Sequence, residues 1–418
     1  MERDDWGSPS SVDCAHAAAP PAGAGIPGAG ALPAVAAPPA RERTRGCGLV
    51  LGRLRPGPLN AITDVAGVRV GHVTLVAGEG SLREGYGPVR TGVTAILPHG
   101  DNLFREKVAA AVHVINAFGK PIGTTQIVEL GVLETPIVLT NTLGMGAAFD
   151  GLVEHALGLN PEIGRSTGSV NPVAAECNDG ALNDIRGRHV RPEHILAAIA
   201  GAAIGPVAEG VVGAGTGMSC YGWKGGIGTS SRQLVDGSEQ PFPPYTVGVL
   251  VLANFGRPAD LVIDGVHVGR TIQPPQDGTT VSAGTPGSCV IVVATDAPAD
   301  ARQLGRIARR VQNGLAYTGT FGQHGSGEFV LAFSTARRIA HWPSGPTTSM
   351  RDMAEDGPLL DELFQAVAEA TEEAVVNALF TADTVTGVDG HSRHGLPVQR
   401  VIDLLNRVNL AAASPQSM

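Results

Sequence analysis

A serine that follows a glycine and opens a β-branched run is the chemically most suggestive feature of this chain: Gly287-Ser288-Cys289-Val290-Ile291-Val292-Val293-Ala294. Pro286-Gly287 is a turn-forming pair, and a short apolar run bounded by turn residues is expected to form a buried strand. Glycine tolerates backbone conformations closed to other residues, so the Gly287–Ser288 peptide could be held strained with the hydroxyl against its carbonyl. Attack there would cut the chain and leave Ser288 as a new N-terminus with both a hydroxyl and an amine. A glycine-serine pair ahead of a strand is also an ordinary turn, so the rest of the chain has to decide.

Three other places carry residues suited to the same chemistry. His324-Gly325-Ser326-Gly327-Glu328-Phe329 leads into an apolar run. Ser326 and Glu328 are two apart, so in an extended segment they project from one face and could pass a proton to or from a nearby nucleophile. Asn254 ends the apolar run Val247–Ala253. An amide there either caps a turn or donates to a developing oxyanion. Glu176 sits in the polar island Glu176-Cys177-Asn178-Asp179-Gly180. It reads either as a turn carboxylate or as a partner for a substrate ammonium.

The elements that must position these groups are legible in outline. Gly67–Val73, Thr91–Pro98, Thr135–Thr142 and Val247–Gly256 have strand patterns, and Cys289–Ala294 is a further buried strand. Lys107 to Phe118 fits a strand or a short helix equally. Met145–Leu157, His194–Ala203 and Ala299–Leu315 read as helices, the last with arginines opposite its apolar face. Leu359–Phe380 reads as a long amphipathic helix whose Asp361/Glu362 and Glu372/Glu373 pairs mark a solvent face. Arg257 to Gly284 is rich in Gly, Pro and Asp, with a strand pair around Leu261–Val266. It would make an accessible linker to the bond between Gly287 and Ser288.

Several function classes are excluded or disfavoured. Gly213 to Ser231 is glycine-rich around Lys224, but Trp223 follows Gly222 where a P-loop needs lysine, and Met218 stands where a dinucleotide fingerprint needs its third glycine. The segment reads instead as tight turns packing backbone on backbone. His391 and His394 lack a zinc-binding partner pattern, so no metal or other cofactor is expected. The five cysteines are scattered with no CxxC, which points to a reducing compartment rather than a disulfide framework. A net charge of −9, from 30 basic and 39 acidic residues, gives no nucleic-acid or polybasic membrane surface. With 43% hydrophobic but only 4% aromatic residues and 57 glycines, the core should be aliphatic and closely packed. Residues 1–47 read as a disordered Ala/Pro/Gly tail without a signal-peptide pattern, and 48–418 as one catalytic domain, soluble and cytoplasmic.

Taken in order, Asn60-Ala61-Ile62-Thr63-Asp64-Val65, Leu133-Glu134-Thr135-Pro136-Ile137, Gly213–Ser231, Ala253-Asn254-Phe255-Gly256, Gly287-Ser288 and Gly325-Ser326-Gly327-Glu328 resemble the DmpA-type peptidase family. That family comprises L-aminopeptidase/D-amino-acid esterases and β-peptidyl aminopeptidases, and the resemblance runs from Gly48 to Asn409. It implies an α/β fold, a four-layer αββα sandwich similar to N-terminal-nucleophile hydrolases. It further implies a proenzyme cut between Gly287 and Ser288 into an α-chain ending at 287 and a β-chain of 288–418. Ser288 would be the nucleophile, Ser326 and Glu328 its relay, Asn254 the oxyanion donor and Glu176 the holder of the substrate ammonium. The implied substrates are small peptides, amides or esters with a free amino end, and the implied assembly is a homotetramer of processed units. Some members place a tyrosine near the oxyanion site, but none lies between Tyr86 and Tyr221 here; Asn178 or Asn183 is the candidate to fill that space.

Two alternatives share the architecture. A self-cleaving acyltransferase of the ornithine-acetyltransferase kind resembles a threonine-nucleophile pattern, against which Ser288 argues. An unprocessed scaffold would need none of Ser288, Ser326, Glu328 and Asn254.

Overall fold

Side chains alternate along a strand, so two facing sheets send neighbouring residues into different interiors. The computed structural model describes residues 41–234, 243–276 and 287–413. Among these the strands are β1 (Arg69–Ala77), β2 (Val89–Leu97), β3 (Glu106–Ala117), β4 (Val132–Leu133), β5 (Ile137–Asn141), β6 (Val173–Cys177), β7 (Ser219–Cys220), β8 (Trp223–Lys224), β9 (Gly226–Leu234), β10 (Tyr245–Asn254), β11 (Ser288–Thr295), β12 (Gly327–Ala340), β13 (Val385–Thr386) and β14 (Ser392–Arg393). The α-helices are α1 (Thr124–Leu130), α2 (Met145–Leu159), α3 (Pro192–Ala200), α4 (Ala301–Tyr317), α5 (Pro358–Thr381) and α6 (Val398–Ala413).

One sheet has the order β1-β2-β5-β6 and the other β4-β3-β12-β11-β10-β9. In the larger sheet β11 and β12 are parallel, while β10 runs antiparallel to both β11 and β9. Val290, Val292 and Ala294 of β11 join Leu250, Leu252, Leu331 and Phe333 in an interior shared with Ile96, Ile137, Leu139 and Ala175 of the smaller sheet. Cys289, Ile291 and Val293 point the other way, onto Leu304, Ile307 and Val311 of α4 and Leu363, Val367 and Ala370 of α5. On the outer face of the smaller sheet, Val93, Ala95, Val138 and Ala174 pack on α2 and α3 through Ala148, Leu152, Ile195 and Ala198. The layers are therefore helices, sheet, sheet, helices: the αββα sandwich. Close layer approach explains much of the glycine content. A Cβ on Gly228 of β9 would sit 1.9 Å from the Ala374 carbonyl of α5.

Several sequence readings change. Residues 107–118 fit no period because Val108, Ala109, Ala110 and Ala111 are buried on both faces of a strand enclosed between layers. The Glu372/Glu373 pair does not face solvent: both are buried, and Glu373 lies beneath the chain at Thr44 and Arg45. Glu373 accepts from Arg45 Nε (2.8 Å), Arg232 Nη2 (2.7 Å) and Asn60 Nδ2 (2.6 Å). Burial alone would push its carboxyl up, but these bonds and charges hold it below the ordinary glutamate value. The boundary at 47/48 lies inside packed structure, since Thr44 is fully buried and its Oγ1 donates to Asn377 Oδ1 at 2.9 Å. One compact unit extends from Arg41 on. The segment from Arg257 is not an open linker as far as residue 276, because Leu261, Ile263, Val268 and Ile272 are buried in the core beside α4 and α5. Residues 1–40, most of the expected tail, and 277–286, with Pro286, lie outside the described residues. No helix among the described residues is long and apolar enough to cross a membrane.

Candidate active site

Ser288 is the first residue of β11, in register with Asn254 at the end of β10 on one side and with Gly327 at the start of β12 on the other. A central strand thus begins, and its neighbour ends, at one point, as the apolar runs require. Ser288, Asn254, Ser326, Glu328 and Glu176 are all buried. Gly287 is a close-approach glycine: a Cβ would lie 2.6 Å from Phe255 Cα and 2.8 Å from the Asn254 carbonyl oxygen.

The Asn254 amide is fixed by three partners. Its Oδ1 accepts from the Ser219 N–H at 2.8 Å, and its Nδ2 donates to the Asn178 carbonyl at 3.1 Å and to Ser288 Oγ at 3.4 Å. Asn178 therefore contributes backbone to this corner, while its side chain accepts from the Gly180 N–H at 2.9 Å. Asn183 lies elsewhere: its Oδ1 accepts from the Arg90 N–H at 2.9 Å and its Nδ2 donates to Asp179 Oδ1 at 3.0 Å. Cys177, between Glu176 and Asn178, is fully buried, and its Sγ donates to the Leu252 carbonyl at 3.8 Å. Burial pushes its thiol well above the ordinary range, so it is a neutral neighbour.

On the other flank, Ser326 Oγ donates to Glu328 Oε1 at 2.9 Å. Burial pushes the Glu328 carboxyl up, partly offset by that bond. The loop carrying Ser326 is held from β3: Asn116 Nδ2 donates to the carbonyls of Gln323 (2.9 Å), His324 (3.1 Å) and Ser326. Glu176 Oε1 accepts from the Lys120 N–H at 3.0 Å and Oε2 from Thr142 Oγ1. Each carboxylate oxygen keeps a free lone pair for a further donor. The turn at Gly119 bridges the two flanks. A Cβ on Gly119 would lie 3.4 Å from Glu176 Oε1, and one on Gly327 would lie 3.1 Å from Gly119 Cα.

The five singled-out residues therefore gather around the start of β11. Asn116, Thr142, Cys177 and the Ser219 N–H escaped sequence reading, because each acts through a partner distant in the chain. Only the polar break of Asn116 in the apolar β3 could have drawn attention. Lys224 is also set differently from a solvent lysine. It is fully buried, and its Nζ donates to the carbonyls of Gly215 (2.9 Å), Met218 (2.8 Å) and Gly225 (2.8 Å). Burial pushes its ammonium down to about 7, while the three carbonyls favour the form with three N–H donors. Among the described residues no group of three or more His, Cys, Asp or Glu is gathered to hold a metal.

Paired sheets between helix layers, with a serine opening a central strand, define an αββα sandwich of the N-terminal-nucleophile hydrolase type. The structure is similar to the L-aminopeptidase D-Ala-esterase/amidase of Ochrobactrum anthropi, which is described as a variant of that fold. The two share a TM-score of 0.81 at 36% identity over 88% of this chain and 99% of that one. It is likewise similar to a Burkholderia sp. β-aminopeptidase, with a TM-score of 0.77 at 40% identity and the same coverage, 88% and 99%. In sequence, the chain is 43% identical over 398 residues to a β-peptidyl aminopeptidase of Sphingosinicella microcystinivorans, covering 92% of this chain and 97% of the relative. Peptidase family S58 matches residues 60–393. The chain belongs to this family, the DmpA-type family that its motifs resemble, and is a hydrolase of the aminopeptidase kind.

Proposed function

We propose that the protein is a self-processing serine aminopeptidase that cuts its own Gly287–Ser288 bond. It then hydrolyses amino-terminal residues from small peptides, amides or esters. The observation that carries this reading is the meeting at Ser288 of an amide donor, Asn254 Nδ2 at 3.4 Å, with the Ser326–Glu328 pair beside its register partner Gly327.

In processing, Ser288 Oγ attacks the Gly287 carbonyl carbon and the C–N bond breaks. Gly287 is left esterified to Oγ with the Ser288 amine free. Water hydrolyses the ester, giving a Gly287 carboxylate and the restored hydroxyl. A serine hydroxyl is a weak nucleophile until a base takes its proton. In the processed enzyme the new amine is one such base, since an α-amine titrates near pH 8. Ser326 passing the proton to Glu328 is the other, and a carboxyl raised by burial is suited to hold it.

In turnover, Ser288 Oγ attacks the substrate carbonyl and Asn254 Nδ2 donates to the oxyanion. The leaving amine takes the proton, and water releases the acyl group. The free lone pairs of Glu176 receive the substrate ammonium, which restricts cleavage to the amino-terminal residue. By resemblance the working assembly is a homotetramer of processed units, and the scattered cysteines fit a reducing compartment such as the cytoplasm. The test is Ser288→Ala, which is expected to stay a single chain and to release no p-nitroaniline from aminoacyl p-nitroanilides. A Ser288→Ala protein that still hydrolyses them overturns the reading.

A further inference from the structure

The glycine-rich turn around Lys224 matches no phosphate or dinucleotide pattern, yet it carries a buried cation that the mechanism above does not use. The bonds of that cation lead to the active site. Met218 and Ser219 share one peptide group: its carbonyl accepts from Lys224 Nζ at 2.8 Å, and its N–H donates to Asn254 Oδ1 at 2.8 Å. The next amide in line, that of Asn254, donates through Nδ2 to Ser288 Oγ at 3.4 Å. Ammonium, peptide and side-chain amide are thus joined head to tail and end at the nucleophile.

Each bond in such a chain polarises the next. A cation on a peptide carbonyl makes the N–H of that peptide a stronger donor. That donor, on the Asn254 carbonyl, makes Nδ2–H a stronger donor in turn. The turn itself is locked from several sides. Gly225 N–H also donates to the Met218 carbonyl at 3.0 Å, Lys224 N–H donates to the His394 carbonyl at 2.8 Å, and Arg393 Nε donates to Ser219 Oγ at 2.9 Å. Close contact enforces the glycines: a Cβ on Gly225 would lie 2.3 Å from the Ala253 carbonyl and one on Gly217 2.3 Å from the Arg90 carbonyl.

We propose that Lys224 is a positioning residue for catalysis, which aims and polarises the Asn254 amide through the Met218–Ser219 peptide. This rests on Asn254 being the oxyanion donor. The charge lies two amides away from the reacting atoms, so it acts on the transition state and leaves substrate binding almost untouched.

The test is a double-mutant cycle of Lys224→Met and Asn254→Ala, on protein whose processed fraction is measured by mass spectrometry. Lys224→Met is expected to lower kcat for an aminoacyl p-nitroanilide by about 10- to 100-fold, up to one donor's worth, with KM within about threefold. In the Asn254→Ala background the same substitution should cost almost nothing, because the route it acts through is gone. Should Lys224→Met fail to fold, Lys224→Gln keeps N–H donors without the charge and is expected to show the same kcat loss and the same non-additivity. An unchanged kcat in the folded variant, or an equal loss with and without Asn254, overturns the proposal. An Asn254→Ala protein of full activity overturns the oxyanion reading beneath it, which is a separate outcome.

Discussion

Asn254→Ala is the substitution whose consequences the structure defines most completely. The Nδ2–Oγ separation of 3.4 Å is long for a hydrogen bond, so under the proposed mechanism Nδ2 is only weakly engaged by the nucleophile and is available to the oxyanion. Removing one preorganised oxyanion donor lowers kcat by about 10²–10³, or about 2.7–4 kcal/mol. The same truncation strands the Ser219 N–H and the Asn178 carbonyl, both now satisfied by this side chain. Each stranded buried group costs about 1–3 kcal/mol, less where water enters the vacated space. The expected result is therefore a kcat loss of two to three orders of magnitude with KM within about threefold, together with a lower Tm. Release of p-nitroaniline, normalised to the fraction of chain beginning at Ser288, gives the first quantity, and scanning fluorimetry gives the second. A fully processed variant with kcat near wild type, or one in which only KM rises, would refute the reasoning.

Two further outcomes follow from buried carboxylates. Glu373→Gln breaks a fully buried ion pair with Arg232 and a second pair with the partly exposed Arg45, and should cost about 3–5 kcal/mol at neutral pH. The Glu373 pKa is lowered on folding, so this stability is present above the unfolded glutamate value and lost as pH falls through the lower folded one. Denaturant melts of the two proteins should therefore converge in acid, and a gap independent of pH contradicts the ion-pair account. Glu176→Gln should raise KM for substrates with a free amine by about 10- to 100-fold, the worth of a hydrogen bond to a charged group. Its kcat should change far less, and an unchanged KM in steady-state assays removes Glu176 from ammonium binding.

Sequence patterns placed the candidate residues where one strand carried its own signal. The β-branched run after Ser288 and the apolar run before Asn254 became β11 and β10, and their pairing puts the two residues in register. What no local pattern held was the company each group keeps. Glu373 read as part of a solvent face because its partners, Arg45, Asn60 and Arg232, come from segments far away in the chain. The segment around Lys224 read only as tight turns because the lysine's ligands are three carbonyls, which every residue type supplies. The strand β3 defied assignment because burial on both faces erases alternation. Between Tyr86 and Tyr221 no tyrosine was available, and the corner beside Asn254 is occupied by the Asn178 backbone, whose identity the side-chain letters do not encode.

The most direct test of self-processing at Ser288 is intact-mass analysis and N-terminal sequencing of the purified wild-type protein. The account requires two chains, the second beginning Ser288-Cys289-Val290. A single uncut 418-residue chain that hydrolyses aminoacyl p-nitroanilides would contradict it.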